Sequence, residues 1–195
     1  MKIEIRKDRV TIDGYVNAVA RDSRPIHEAG RQFVEQIMPG VFRRAIEENP
    51  VQLLLNHDRS RKLGSTESNL VLTEDSIGLR AHAEIADAEV IRKAREHKLK
   101  GWSFGFIPTA ETMEERAENI PRRHIEGMQL LEVSIIDDRA IPAYEGTLIE
   151  ARTTGAATHY AETTADEIEY TDHGAADIME HRARIEALKY YKEEP

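Results

Sequence analysis

Short runs in which apolar and polar residues alternate recur along most of this chain, and turn residues separate them. A period of two is the mark of a half-buried strand, and a chain made mainly of such strands must close them on one another to form a core. Lys2 to Lys7 and Val10 to Ala20 alternate in this way, with Gly14 at a bulge. Asn69 to Thr73 and Gly78 to Ile85 bracket a Glu-Asp-Ser turn and read as a hairpin. Arg123 to Glu126 and Met128 to Ile136 read as a second hairpin around Gly127. Val51 to Leu55 is a continuous apolar run, hence a buried strand, and Trp102 to Ile107 is a further strand. Helical signals are few. Pro39-Gly40 precedes a short helix over Val41 to Glu48, which Asn49-Pro50 ends. Asp87 is an N-cap for a helix over Ala88 to Lys100, with Gly101 at its stop. There is no internal repeat. The class is α+β, with mostly antiparallel strands closing into a sheet or small barrel flanked by helices.

Composition then narrows the function. The chain has 195 residues, 36 of them acidic and 27 basic, for a net charge of −9. Phosphate-binding surfaces carry a basic excess, so nucleic acid is not the expected partner. Cysteine is absent, which excludes disulfides, thiolate zinc sites and a cysteine nucleophile. No apolar run approaches the ~20 residues that span a bilayer, and Met1 to Val10 has no signal-peptide core. A cytoplasmic protein with no membrane partner is expected.

The composition also shifts along the chain. Residues 151 to 195 hold ten acidic and five basic residues, and their only large aliphatic side chains are Ile168, Ile178, Met179, Ile185 and Leu188. So little apolar surface does not offset the entropy of ordering. Residues 1–151 are therefore expected as the folded domain, 152–174 as a flexible linker and 175–195 as an acidic helical tail. Ile178, Ile185 and Leu188 form a narrow stripe at helical spacing, suited to assembly or self-association. A frayed, solvated tail fits the same composition.

Three places carry polar groups where the pattern wants apolar ones. His57 follows the run Val51 to Leu55, on a rigid element near solvent, which suits a general base. Alternatively it is a histidine hydrogen-bonded at a strand end. Ser103 lies in Gly101-Trp102-Ser103-Phe104-Gly105-Phe106. In a strand the three aromatics take one face, and Ser103 and Gly105 take the other, leaving room for a substrate backbone beside a hydroxyl. The plainer reading is a small residue in close packing. Repeated βαβ units are missing, so the α/β-hydrolase elbow does not apply. Glu132 interrupts the apolar strand Leu130 to Ile136; buried, it would need a partner such as histidine. On an exposed face, alternating with Leu131, Val133 and Ile135, it would need none.

A metal site is the competing chemistry. The eight histidines are scattered, however, with no H-x-x-x-H or H-E-x-x-H spacing. No metal or other cofactor is expected. An HNH-type nuclease would want a basic face. A non-catalytic assembly or scaffolding protein is the third class, and it should be indifferent to Ser103.

In chain order, Met38-Pro39-Gly40-Val41-Phe42, Asn56-His57-Asp58, the Gly-x-Ser-x-Gly-Phe segment at Gly101, Leu130-x-Glu132-Val133-Ser134 and Ile141-Pro142-Ala143 resemble motifs of the prohead (capsid maturation) serine proteases of tailed bacteriophages. The resemblance covers about residues 10 to 150. It implies a fold similar to the herpesvirus assembly proteases, a small β-barrel with surrounding helices. It further implies His57 as base, Ser103 as nucleophile and Glu132 as the orienting acid. Asp137-Asp138-Arg139-Ala140 departs from the family pattern and brings Asp137 or Asp138 into play as third member, and His124 is a further candidate. A backbone N–H near Asp138 or Arg139 is the expected oxyanion donor. The implied substrates are the scaffolding region of the major capsid protein and the protease itself, cleaved inside the assembling procapsid in the host cytoplasm.

Overall fold

The computed structural model describes residues 1–28, 30–117, 119–139, 159–164 and 167–173. In chain order the elements are β1 (Lys2–Ile5), β2 (Val10–Ala18), β3 (Ile26–Glu28), β4 (Arg31–Ile37), α1 (Val41–Glu48), β5 (Gln52–Leu55), β6 (Asp58–Ser65), β7 (Leu70–Glu74), β8 (Gly78–Ile85), α2 (Ala88–Arg95), β9 (Leu99–Glu114), β10 (Arg122–Asp137), β11 (His159–Thr164) and β12 (Glu169–Asp172). They form two sheets. The smaller runs β12-β1-β2-β8-β7. The larger runs β11-β9-β10-β4-β3, with β5 and β6 branching from β10. Pairing is antiparallel except where β1 meets β12 and where β10 meets β4 and β5. Ile3, Ile12 and Leu79 of one sheet meet Leu53, Phe104 and Val133 of the other in a single apolar core, which Phe42 of α1 and Val90 of α2 complete. Burying an aliphatic or aromatic side chain of this size contributes roughly 1.5–3 kcal/mol, so this core supplies the main driving force for folding.

Mostly antiparallel strands with few helices match the expected class. The expected closed barrel does not form among the described residues: both sheets stay open, and the larger one branches instead of closing. The branch exists because β10 is long enough to take two neighbours. Its residues 122–125 pair with β4, and its residues 132–135 pair with β5. The hairpin expected around Gly127 is therefore one continuous strand, with a register shift at that glycine. A Cβ at Gly127 would lie 2.7 Å from the Thr109 hydroxyl, so glycine serves close strand approach here and not a turn.

Helix α1 starts as expected, and the Glu74 carboxylate accepts from the Gly40 and Arg43 N–H groups at its N-terminus. In α2 the Asp87 side chain accepts from Glu89 N–H at 2.9 Å and Val90 N–H at 3.0 Å. This helix stops well before Gly101. His97 adopts φ 54°, its N–H donates to Ala94 O at 3.1 Å, and Lys98 N–H donates to Lys93 O at 2.9 Å. That is a Schellman stop with histidine in the usual glycine position, and it lets β9 begin at Leu99. Within the stretch expected as a linker, β11 pairs with β9 and β12 pairs with β1. Backbone pairing orders these residues despite their polar composition. Residues 175–195, read as an acidic helical tail, lie outside the described residues.

Candidate active site

β5 and β6 are joined through Asn56 and His57 alone, because Leu55 is paired with Asp58. Both loop residues have positive φ, 55° and 60°. That is the geometry of a type I′ hairpin turn, which matches the twist of the strands it joins. Asparagine adopts it readily, but histidine does so at a cost on the order of 1–2 kcal/mol. Such a conformation persists only where surrounding contacts enforce it.

Those contacts come from β10. The Asn56 N–H donates to Ile135 O at 2.9 Å, and the His57 N–H donates to the Ser134 hydroxyl at 3.1 Å. The His57 ring meets Glu132 at 2.6 Å, Nδ1 to Oε1. The Ser134 hydroxyl in turn donates to Glu132 Oε2 at 2.6 Å. An ionised carboxylate only accepts, so Nδ1 carries the proton in the neutral imidazole and Nε2 carries the lone pair. This is the tautomer a general base requires.

Ser103 belongs to the neighbouring strand. In the β9–β10 register it lies directly opposite Ser134. Side chains so paired share a face, with Cβ atoms about 5 Å apart. Ser103 therefore stands beside the hydroxyl that links Glu132 to the histidine turn. On the opposite face Trp102, Phe104 and Phe106 enter the core, as their alternation predicts. Glu132 is 6% exposed and Ser103 and Ser134 are fully buried, so the exposed-face reading of Glu132 does not hold. On the other side of β9, Glu162 of β11 is the register partner of Ser103.

The other candidates go elsewhere. His124 contacts Glu114 at 3.1 Å. Eight residues of strand separate it from Glu132, about 26 Å at the usual rise. Asp137 is fully buried and pairs with Lys93 Nζ at 2.7 Å, and Asp138 meets the same ammonium at 2.7 Å. Burial works to raise the Asp137 carboxyl, but the Lys93 ammonium, the Arg139 N–H and Asn56 outweigh it and hold it at about 2. Burial works against the Lys93 charge too, yet the two carboxylates keep its ammonium above the usual lysine value. The Arg139 N–H, expected as an oxyanion donor, donates instead to Asp137 Oδ1 at 2.8 Å. Among the described residues no group of three His, Asp or Glu side chains is arranged to hold a metal ion, and no helix is long and apolar enough to cross a membrane.

Residues 1–162 match the family of caudovirus prohead serine proteases. The chain belongs to that family. No curated protein and no solved structure matches the chain. A prohead serine protease is a peptidase of capsid maturation, acting in the assembling procapsid on capsid protein. In this prohead protease Asn56 and Ser134 lie within the motifs above without a role assigned to either, and Lys93 lies outside them all. Each left a trace. Ser134 shares Glu132's strand face, and Lys93 interrupts the apolar side of α2 three residues after Val90.

Proposed function

We propose that this protease works through Ser103 as nucleophile, His57 as general base and acid, and Glu132 as the group that orients the imidazole. The observation that carries the reading is the 2.6 Å contact between His57 Nδ1 and Glu132 Oε1, from residues 75 apart, on the strand next to Ser103. In the reaction the Ser103 hydroxyl oxygen adds to the scissile carbonyl carbon while His57 Nε2 takes its proton. The C–N bond then breaks, and the imidazolium gives that proton to the leaving amine. Water attacks the resulting ester on Ser103, His57 takes the water's proton, and the proton returns to the serine oxygen as the acid product leaves.

The substrates in this reading are the scaffolding region of the major capsid protein and the protease chain itself, cut inside the procapsid in the host cytoplasm. Residues 175–195 serve assembly or self-association before cleavage. The test is intact-mass measurement of the capsid protein incubated with the protease or with Ser103→Ala. Cleavage by the wild type and none by the variant is expected. Cleavage at near wild-type rate by Ser103→Ala overturns the assignment of Ser103, and no cleavage by either protein favours a non-catalytic assembly role.

A further inference from the structure

We propose that Lys93, Asp137 and Asn56 form a buried lock that positions the histidine turn against the serine strand, which makes Lys93 and Asn56 positioning residues of the catalysis assigned above. The inference rests on that assignment of Ser103 and His57.

Four elements meet at this point. Asp137 is the last residue of β10, and its register partner is Leu99, the first residue of β9. Its backbone N–H donates to Asn56 Oδ1 at 3.0 Å, so it grips the residue that precedes His57. Its carboxylate takes Lys93 Nζ from α2, the helix that leads directly into the serine strand. Lys93 is 3% exposed, and its ammonium also holds Asp138. One ion pair thus ties the turn carrying His57 to the helix and strand carrying Ser103.

Stability does not explain this arrangement by itself. A buried ion pair gains little over apolar packing of the same volume, because both charges lose their hydration. A two-residue turn with both φ values positive is served as well by Asn-Gly. What the pair adds is a fixed geometry. Asn56 is held through its own N–H to Ile135 O and through its side chain to Asp137, leaving the next residue no freedom to swing out of reach of Glu132. Catalytic groups misplaced by about 1 Å lose on the order of 100-fold in rate, so an anchor on the residue next to His57 is expected to show in turnover.

The experiment uses diisopropyl fluorophosphate, which needs no knowledge of the cleavage site. The activated serine oxygen displaces fluoride and forms an O–P bond, and intact mass reports the adduct. Three variants are compared with the full-length wild type. Asn56→Gly keeps the positive φ but removes the acceptor for the Asp137 N–H. Lys93→Met alone would leave the buried Asp137 carboxylate with only the half-exposed Arg139 as counter-charge, so the pair is removed together as Lys93→Met/Asp137→Asn. Arg92→Ala breaks an exposed pair with Glu96 on the same helix and serves as control.

The expected result is inactivation at Ser103 at least ten-fold slower in Asn56→Gly and in the double variant. Arg92→Ala should react at the wild-type rate, and Asn56→Gly should melt within a few degrees of the wild type. With a short peptide substrate, kcat should fall and KM should not change. Equal labelling rates in wild type and Asn56→Gly overturn the lock. So does a slowed Asn56→Gly whose kcat loss is matched by an equal rise in KM. A wild type that is not labelled at Ser103 overturns the underlying assignment instead, and the two failures are thereby distinguished. Should the double variant not fold, Asn56→Gly decides alone.

Discussion

β10 carries two buried polar clusters, one in each half, and they are built on different principles. In the first half Arg123 is 5% exposed and contacts Glu35 at 2.6 Å, Glu28 at 3.3 Å, Glu111 at 3.7 Å and His159 Nδ1 at 3.2 Å. Its guanidinium also lies 4.5 Å over the Phe33 ring. Burial pushes the Glu35 carboxyl up, against the pull of Arg123. Arginine only donates and does not lose its proton, so it fixes His159 Nδ1 as an acceptor. In the second half the partner of the buried carboxylate is the His57 imidazole, a ring with one donor and one acceptor nitrogen when neutral. Buried charge alone therefore does not mark a site on this strand; the proposed site lies where a buried carboxylate is bonded to an imidazole.

The sharpest break in that comparison comes from the second half. Ser103→Ala should abolish cleavage of capsid protein with the fold intact by circular dichroism, since only a hydroxyl is lost. Glu132→Gln should come next. Removing the orienting carboxylate lowers turnover by up to ~10⁴ while some rate survives from the remaining groups. Its kcat, measured on a peptide substrate, must fall by orders of magnitude. A silent Glu132→Gln would mean that the imidazole is oriented by another residue. In the first half the effect should fall on stability. Arg123→Met leaves Glu35 buried without its counter-charge, which costs about 3–5 kcal/mol. Urea unfolding should show that loss, and Arg123→Met/Glu35→Met should recover much of it. The kcat of the folded protein should not change; a fall like that of Glu132→Gln would erase the distinction between the clusters.

How much of this could be read from sequence follows the same division. Alternation exposed the strands, and Trp102, Phe104 and Phe106 settled which face of β9 Ser103 takes. His57 and Glu132 stood out because each breaks an apolar pattern locally. Topology was less legible. Gly127 carries the same local signal whether it makes a turn or a bulge, and only the approach of Thr109 decides between them. His97 ends α2 through a left-handed conformation that its side-chain type does not advertise. β11 and β12 are polar in composition, and the partners that order them lie far away in sequence. Asn56, Lys93 and Asp137 likewise gain meaning only from contacts across the sheet. Asp137 was legible as a carboxylate near the site but not as Lys93's partner, because the pair spans a helix and a strand end.

The smallest effect expected is also the one most specific to that pair. Asp137→Asn removes the carboxylate but keeps the backbone N–H that holds Asn56, and Asp138 remains to face Lys93. The loss should therefore be milder than in Arg123→Met. The carboxyl sits at about 2 in the folded protein and near 3.9 when unfolded. A depressed value means that the unfolded chain binds the proton first as pH falls. The contribution is therefore fully present above about pH 4 and is lost as pH falls through about 2. At roughly 1.4 kcal/mol per unit, the wild type should exceed Asp137→Asn by about 2–3 kcal/mol at neutral pH. Urea titrations of both proteins at pH 7, 4, 3 and 2 should show the gap narrowing only across the lower three. Other carboxylates move both curves together, so the difference isolates this one. A gap that stays constant down to pH 2 would mean that the Asp137 charge does not support the fold, and the ion pair behind the histidine turn would lose its energetic basis.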